Sequence, residues 1–185
     1  MKKLQYIFVL GLFIVLSSLQ ATNSDKLDMT NLDEVKLEKM ILSQVNLLRK
    51  KKRLKTLRLD SILSYAASDQ ADYLLKKNRL THNQPNKKKK TPIDRTDFYG
   101  GNFEYVGENV AYTYYNKSVN SAQFKNKVEI ITTYAQLANH FYWLWKNSKP
   151  HYKNIVDREF ELTSIRFSYD KKRQKIYAAQ VFGAK

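Results

Sequence analysis

The chain contains no cysteine, although it begins with a segment typical of exported proteins. Lys2 and Lys3 precede an apolar run from Leu4 to Leu16, and small residues follow as far as Ala21. This order predicts a signal peptide, residues 1–21, that is cleaved near Ala21, with an uncleaved signal anchor as the alternative. The roughly 160 residues that remain would form a secreted, periplasmic or cell-surface protein that depends on one apolar core instead of disulfides.

The formal net charge of +16 predicts attraction to anionic partners. Much of the excess lies in three runs, Lys50–Arg53, Lys87–Lys90 and Lys171–Arg173, which are typical of solvated loops and helix ends. No nucleic-acid-binding motif accompanies the charge, so we expect no specific nucleic-acid partner. An anionic cell surface remains an expected partner, and the sequence leaves the oligomeric state open.

Three apolar patterns, spaced by three and four residues, predict helices. The first helix runs from about Asp33 to Lys50. The second lies between a capping Asp60 and Asn78, which is placed to end it. The third contains the apolar stripe of residues 134–145 and stops before Pro150. Each helix therefore has one face to bury.

The remaining segments indicate loops and strands. Residues 83–101 are rich in Lys, Asn, Pro and Gly, which predicts a mobile loop with ordered ends. Aromatic and β-branched residues from Tyr105 to Tyr115 predict a strand. Residues 162–169 and 175–182 are two further strand-like runs, and the charged turn between them predicts a hairpin.

The order of these elements predicts the fold class. Helices at the start, a loop-rich middle, a helix and a final hairpin do not alternate regularly as βαβ units, so we expect an α+β fold with an antiparallel sheet. Residues 22–32 are polar and predict a flexible leader. The single domain is accordingly expected to span residues 33–185.

Several short segments resemble one known family. They are the Gly107-Glu108-Asn109-Val110-Ala111 box, His82 after the second helix, Trp145 with Ser148, the run from His151 to Val156, and the closing strand Ala179–Gly183. Together they are similar, in order, to the CAP superfamily of cysteine-rich secretory, antigen 5 and pathogenesis-related 1 proteins, particularly its bacterial members. The resemblance covers about residues 35–184. It implies an α-β-α sandwich with a mainly antiparallel sheet flanked by helices.

The resemblance also implies a candidate site. His82, Glu108 and His151 would converge on one groove, where Ser148 and Asn109 would join them in binding a small, lipid-like molecule. Two imidazoles and a carboxylate are also the usual donors of an open site for Zn²⁺ or another divalent cation. The chain has only one of the two acids that animal members carry. The alternative interpretation is that these polar groups hydrogen-bond across a water-filled groove.

A hydrolase using the same cleft is the competing hypothesis. His151 would act as a base toward water or Ser148, oriented by Glu108, with or without a metal. The sequence offers no Gly-x-Ser-x-Gly turn and no identifiable oxyanion donor. It therefore favours a binding protein and leaves catalysis open. His140, outside the matched segments, is expected at the surface or partly packed.

Overall fold

The computed structural model describes residues 25–120 and 128–185. The predicted signal peptide lies outside these described residues. The helices are α1 (Glu34–Lys51), α2 (Ser61–Lys77), α3 (Pro92–Phe98), α4 (Tyr134–Lys146) and α5 (Lys149–Val156), with a 3₁₀ turn at Lys87–Lys89. The strands are β1 (Arg58–Leu59), β2 (Tyr105–Tyr114), β3 (Ser118–Asn120), β4 (Val128–Ile130), β5 (Leu162–Asp170) and β6 (Lys175–Ala184).

The predicted caps begin and end the first two helices. The Asp33 carboxylate accepts from the backbone N–H of Lys36 at the start of α1. Asp60 accepts from two N–H groups at the start of α2. Asn78 ends α2 in the left-handed region at φ 50°. Short polar side chains satisfy backbone donors that a helix start leaves unpaired, and Asn tolerates positive φ.

The main sheet has four strands in the order β1-β5-β6-β2. The pairs β5·β6 and β6·β2 are antiparallel, while the two-residue strand β1 pairs in parallel with β5. Strands β3 and β4 form a separate antiparallel pair. Within the described part of the chain, β2 is thus an edge strand of the main sheet, and the predicted hairpin β5–β6 provides its centre.

Apolar side chains on both faces of the sheet are buried, as alternation along a strand requires. On β6, Ile176 and Phe182 join the core beneath α1, α4 and α5. Tyr177 and Val181 face the other way, into the core beneath α2. The fold is therefore α+β with helices on both faces of a mainly antiparallel sheet, as the sequence analysis predicts.

The segment predicted as a mobile loop contains a helix instead. Thr91 and Asp94 form a reciprocal capping box at the start of α3, and Pro92 occupies its first turn. This combination is a helix-start signal that the high Lys, Asn and Gly content obscures. Similarly, α4 ends at Lys146, before Pro150, and Pro150 itself lies in the first turn of the next helix, α5. Proline there marks a helix start as well as a stop.

Part of the predicted flexible leader packs against the domain. Leu27 and Met29 are both buried in the larger core. The backbone N–H of Leu27 also donates to the carbonyl of Thr132 at 2.8 Å. Two apolar residues at alternate positions thus suffice to dock residues 26–29 as an extended segment beside the start of α4.

His140 is buried, contrary to the surface or partly packed position expected. Its side chain lies in α4 beside the ring of Trp143, and its Nδ1 has no hydrogen-bond partner. Burial lowers the pKa of His140 below its ordinary value of 6.5, because the charged imidazolium loses its hydration. A histidine in the unfolded chain keeps the ordinary pKa.

We expect the protein to lose stability as the pH falls below about 6.5. In that range the unfolded chain binds a proton at residue 140 that the folded protein resists, so protonation favours unfolding. Each unit of pKa difference corresponds to about 1.4 kcal/mol.

Urea unfolding of His140→Leu should show a smaller loss of stability between pH 7 and pH 5 than that of the wild type. The preceding residue of α4 is exposed and does not titrate, so Asn139→Leu offers a control that should retain the wild-type loss. An unchanged pH dependence in His140→Leu would contradict the assignment.

Candidate functional site at the sheet edge

The edge strand β2 sends two neighbouring polar side chains to opposite faces of the sheet. Glu108 points to the α2–α3 side, where it contacts Arg95, and Asn109 points to the α5 side, where it contacts His151. Successive residues of a strand must diverge in this way. Gly107 precedes them because a Cβ at this position would lie 2.7 Å from the ring of Phe160. The Gly-Glu-Asn sequence therefore places one polar side chain on each face of the sheet, and its glycine allows Phe160 to pack closely against the strand.

Glu108 is buried and paired through both carboxylate oxygens. Its Oε2 accepts from the guanidinium of Arg95, which is fully buried. Its Oε1 lies 2.9 Å from Nδ1 of His82. A carboxylate beside a guanidinium only accepts, so Nδ1 carries the hydrogen and Nε2 of a neutral His82 is left as an acceptor. The His82 side chain is 50% exposed, so solutes can reach this ring.

Arg95 also holds the loop that carries His82. Its Nη1 donates to the carbonyls of His82, Lys89 and Lys90 at 3.1, 3.2 and 3.4 Å. Gln70 on α2 supports the same loop through the carbonyl of Thr81. One buried guanidinium thus fixes both the carboxylate and the backbone that position His82.

His151 approaches the same edge from α5. Its carbonyl accepts from Asn109, and Asn154, three residues later, donates to both the Glu108 carbonyl and Asn109 Oδ1. Burial lowers the pKa of His151, and the charge of nearby His82 lowers it further. The two imidazoles are therefore within electrostatic reach of each other, and both effects disfavour the charged form of His151.

The residues of the hydrolase hypothesis do not form a relay in the described chain. Ser148 is the N-cap residue of α5, and no hydrogen bond joins its hydroxyl to His151. Nδ1 of His151 is buried without a partner, and Glu108 is engaged by Arg95 and His82 instead. The structure therefore offers no carboxylate to orient His151 as a base.

The predicted metal ligands also do not fit a three-ligand site as they are arranged. Among the described residues, no group of three His, Cys, Asp or Glu side chains is close enough to hold a metal ion. Glu108 would have to release Arg95 or His82 to become a ligand. In this arrangement, Glu108 instead accepts a hydrogen bond from Nδ1 of His82, which leaves Nε2 of that ring as an acceptor. Binding of a ligand or cation by His82 and His151 stays a prediction.

Sequence reasoning missed Arg95 and Asn154, which organise the site. Asn154 lies within the matched run from His151 to Val156, but the sequence does not reveal its partners on β2. Arg95 lies in the segment interpreted as a loop. The capping box at Thr91 and Asp94 would have predicted the helix that carries it.

Three solved structures with similar folds come from bacteria. An extracellular protein containing an SCP domain from Bacillus anthracis matches with a TM-score of 0.60 and 22% identity over 82% of this chain and 41% of that chain. An outer surface protein from Borrelia burgdorferi matches with a TM-score of 0.60 and 21% identity, covering 80% of this chain and 91% of that chain. A cysteine-rich secretory protein from Staphylococcus aureus matches with a TM-score of 0.54 and 16% identity, covering 83% of this chain and 40% of that chain. This chain spans less than half the length of the first and third, and identities this low show the fold alone.

The family comparison covers most of the chain. None of the curated proteins compared with the sequence matches it. The profile of the cysteine-rich secretory protein family, CAP, matches residues 42–182. These residues include His82, Arg95, the Gly-Glu-Asn box and His151, so the match extends over the whole edge site. The chain therefore belongs to the CAP family of cysteine-rich secretory proteins.

Proposed function

We propose that this CAP-domain protein is an exported binding protein that holds a fatty-acid-like amphiphile in the groove between α1 and α4. The observation that carries the proposal is a pair of adjoining hollows along these two helices, of about 360 and 490 Å³. Both are lined by Gln44 of α1. The proposal retains the lipid-like ligand that the family resemblance implies and places it away from the edge site.

Apolar side chains line the groove together with the polar residues Ser43, Gln44 and Asn139. From α1 it receives Met40, Leu47 and Leu48, and from α4 it receives Ala135 and Tyr142. Leu47 is 56% exposed, so an apolar ligand that covers it removes hydrocarbon surface from water. The eleven helical rises from Met40 to Lys51 correspond to about 16 Å of length. An extended acyl chain fits such a slot.

Lysines give the groove its polarity. Lys51 and Lys146 line the hollow at the C-terminal ends of α1 and α4, while Lys39 lines the other hollow. Both ends therefore offer ammonium groups to a carboxylate or phosphate headgroup, with apolar surface between them. An anionic amphiphile satisfies both features, whereas a neutral hydrocarbon leaves the lysines unused.

The five residues expected to bind the ligand do not line these hollows; they are His82, Glu108, Asn109, Ser148 and His151. In our proposal, the buried members of this set stabilise the edge of the sheet. The half-exposed ring of His82 remains the group that a polar solute can reach.

Palmitate titrated by calorimetry should bind saturably to the wild type. Leu47→Asp should abolish the signal, because it places a charge among the apolar side chains beside the acyl chain. Reversing the charge in Lys51→Glu should weaken binding about five- to tenfold through loss of headgroup pairing. Since His151 does not line the groove, His151→Ala should bind as the wild type does.

The reverse pattern would move the ligand to the edge site. If His151→Ala abolished palmitate binding while Leu47→Asp retained it, the groove would not be the binding site. Absence of any palmitate signal in the wild type would remove the fatty-acid proposal itself.

Export is part of the proposal. The sequence pattern of residues 1–21 supports it, and two of the structural neighbours are an extracellular protein and an outer surface protein. Across residues 25–120 and 128–185, no helix is long and apolar enough to span a bilayer.

A further inference from the structure

A basic and aromatic surface lies on the other side of the sheet from the α1–α4 groove. Residues 79–90 contain five cationic residues and no acid. They are Arg79 and Lys87, Lys88, Lys89 and Lys90. All but Lys89 are exposed. Such a concentration of one charge attracts anionic surfaces over about a Debye length.

Lys89 is the exception because it anchors the others. Its ammonium forms an ion pair with Asp69, donates to the hydroxyl of Tyr99 at 3.1 Å, and lies 4.1 Å from the ring centre of Phe98. Burial lowers the pKa of Lys89, but the hydrogen bonds with Asp69 and Tyr99 outweigh burial and raise it. Arg95 holds the carbonyls of Lys89 and Lys90 from inside. The neighbouring lysines therefore extend from a fixed turn.

Exposed aromatic rings adjoin this turn. Phe98 is 48% exposed and packs edge-on against Tyr99, which stacks on Tyr65, itself 57% exposed. These rings contact one another, and those of Phe98 and Tyr99 also contact Lys89. Half-exposed aromatic side chains beside lysines are the composition of segments that lie in the membrane–water interface.

We propose that this surface, formed by Lys87, Lys88, Lys90, Phe98 and Tyr65, docks the protein onto membranes that contain anionic lipids. The lysines contact the headgroups, and the rings of Phe98 and Tyr65 enter the interface beside them. Anionic lipid is the occupant because the patch combines positive charge with exposed aromatic surface. A purely polar anionic polymer would use the charge and leave the rings in water. Each lysine near an anionic membrane adds roughly a fivefold gain in partitioning.

The test is sedimentation of the protein with vesicles of phosphatidylcholine, with and without phosphatidylglycerol. We expect binding only with phosphatidylglycerol, and a steep fall as salt shortens the Debye length from about 10 Å at 0.1 M to about 3 Å at 1 M. Lys87→Gln combined with Lys88→Gln should weaken binding by at least about tenfold. Phe98→Ala should weaken it several-fold with an unchanged salt dependence.

The turn between β5 and β6 supplies a matched control. Lys171 and Lys172 are also adjacent and exposed, so their double change to Gln removes the same charge elsewhere and should leave most binding intact. All substituted side chains are exposed, and thermal unfolding will verify that the variants fold.

Three results would overturn the proposal. If the Lys87/Lys88 and Lys171/Lys172 double variants lost vesicle binding equally, binding would depend on the net charge of the protein and not on this surface. Full binding of Phe98→Ala would exclude insertion of the rings. Retention on an acidic polymer without any vesicle binding would assign the surface to a polymer partner.

Discussion

Arg49→Met is expected to destabilise the protein by at least about 4 kcal/mol, a large fraction of the roughly 5–15 kcal/mol by which an ordinary domain is stable. The Arg49 guanidinium is fully buried and donates to four backbone carbonyls. The acceptors are Lys55 at 2.7 Å, Ile155 at 2.9 Å, Asp157 at 2.8 Å and Phe160 at 2.8 Å. They belong to the loop after α1, the end of α5 and the segment before β5. Methionine fills similar volume but leaves these acceptors unpaired, and an unpaired buried polar group costs about 1–3 kcal/mol.

Urea unfolding of two further variants tests this explanation. Lys50→Met changes the next residue, which is exposed, and should leave the unfolding midpoint near that of the wild type. Arg49→Lys should fall between the wild type and Arg49→Met, because an ammonium keeps the charge but cannot span all four acceptors. If Arg49→Met unfolded at the same urea concentration as Lys50→Met, Arg49 would not connect these three segments.

Arg95→Met is expected to cost about 3–5 kcal/mol because it leaves the buried Glu108 carboxylate without its cation. Glu108→Gln should cost a similar amount by leaving a buried guanidinium without its counter-charge. The double variant removes both charges, so it should recover part of the stability that either single variant loses. Chemical denaturation of all three measures this coupling.

The exposed pair of Lys55 and Glu161 provides the comparison. Their ionic groups are 2.8 Å apart, but the side chains are 80% and 44% exposed. Glu161→Gln should therefore leave the unfolding midpoint almost unchanged, since water and ions screen such pairs. Simple additivity of Arg95→Met and Glu108→Gln in the double variant would show that the two groups do not act as a pair.

The local elements of the fold were largely readable from residue patterns. Leu37, Ile41 and Val45 predict the buried face of α1, and each is completely buried. Asp60 and Asn78 bound α2 as predicted. Such signals are local: a helix face repeats every three to four residues, and a cap needs only its own backbone neighbours.

The candidate site was only partly readable. The sequence singled out His82 and Glu108, which contact each other across 26 residues of chain. It did not reveal that Arg95 would pair with Glu108, or that Asn109 would contact the carbonyl of His151. Which neighbour a polar side chain selects depends on strand pairing and register, and a single sequence carries little information about either.

By itself, the sequence determined the family, the α+β class, the caps of α1 and α2, and the residues around which a site would be sought. Only the tertiary structure decided that Arg95 pairs with Glu108, that Arg49 joins three segments, and that His140 is buried. The physical reason is distance along the chain. Periodicity and capping act between near neighbours, whereas a buried charge is stabilised by whatever partner the packed fold brings to it.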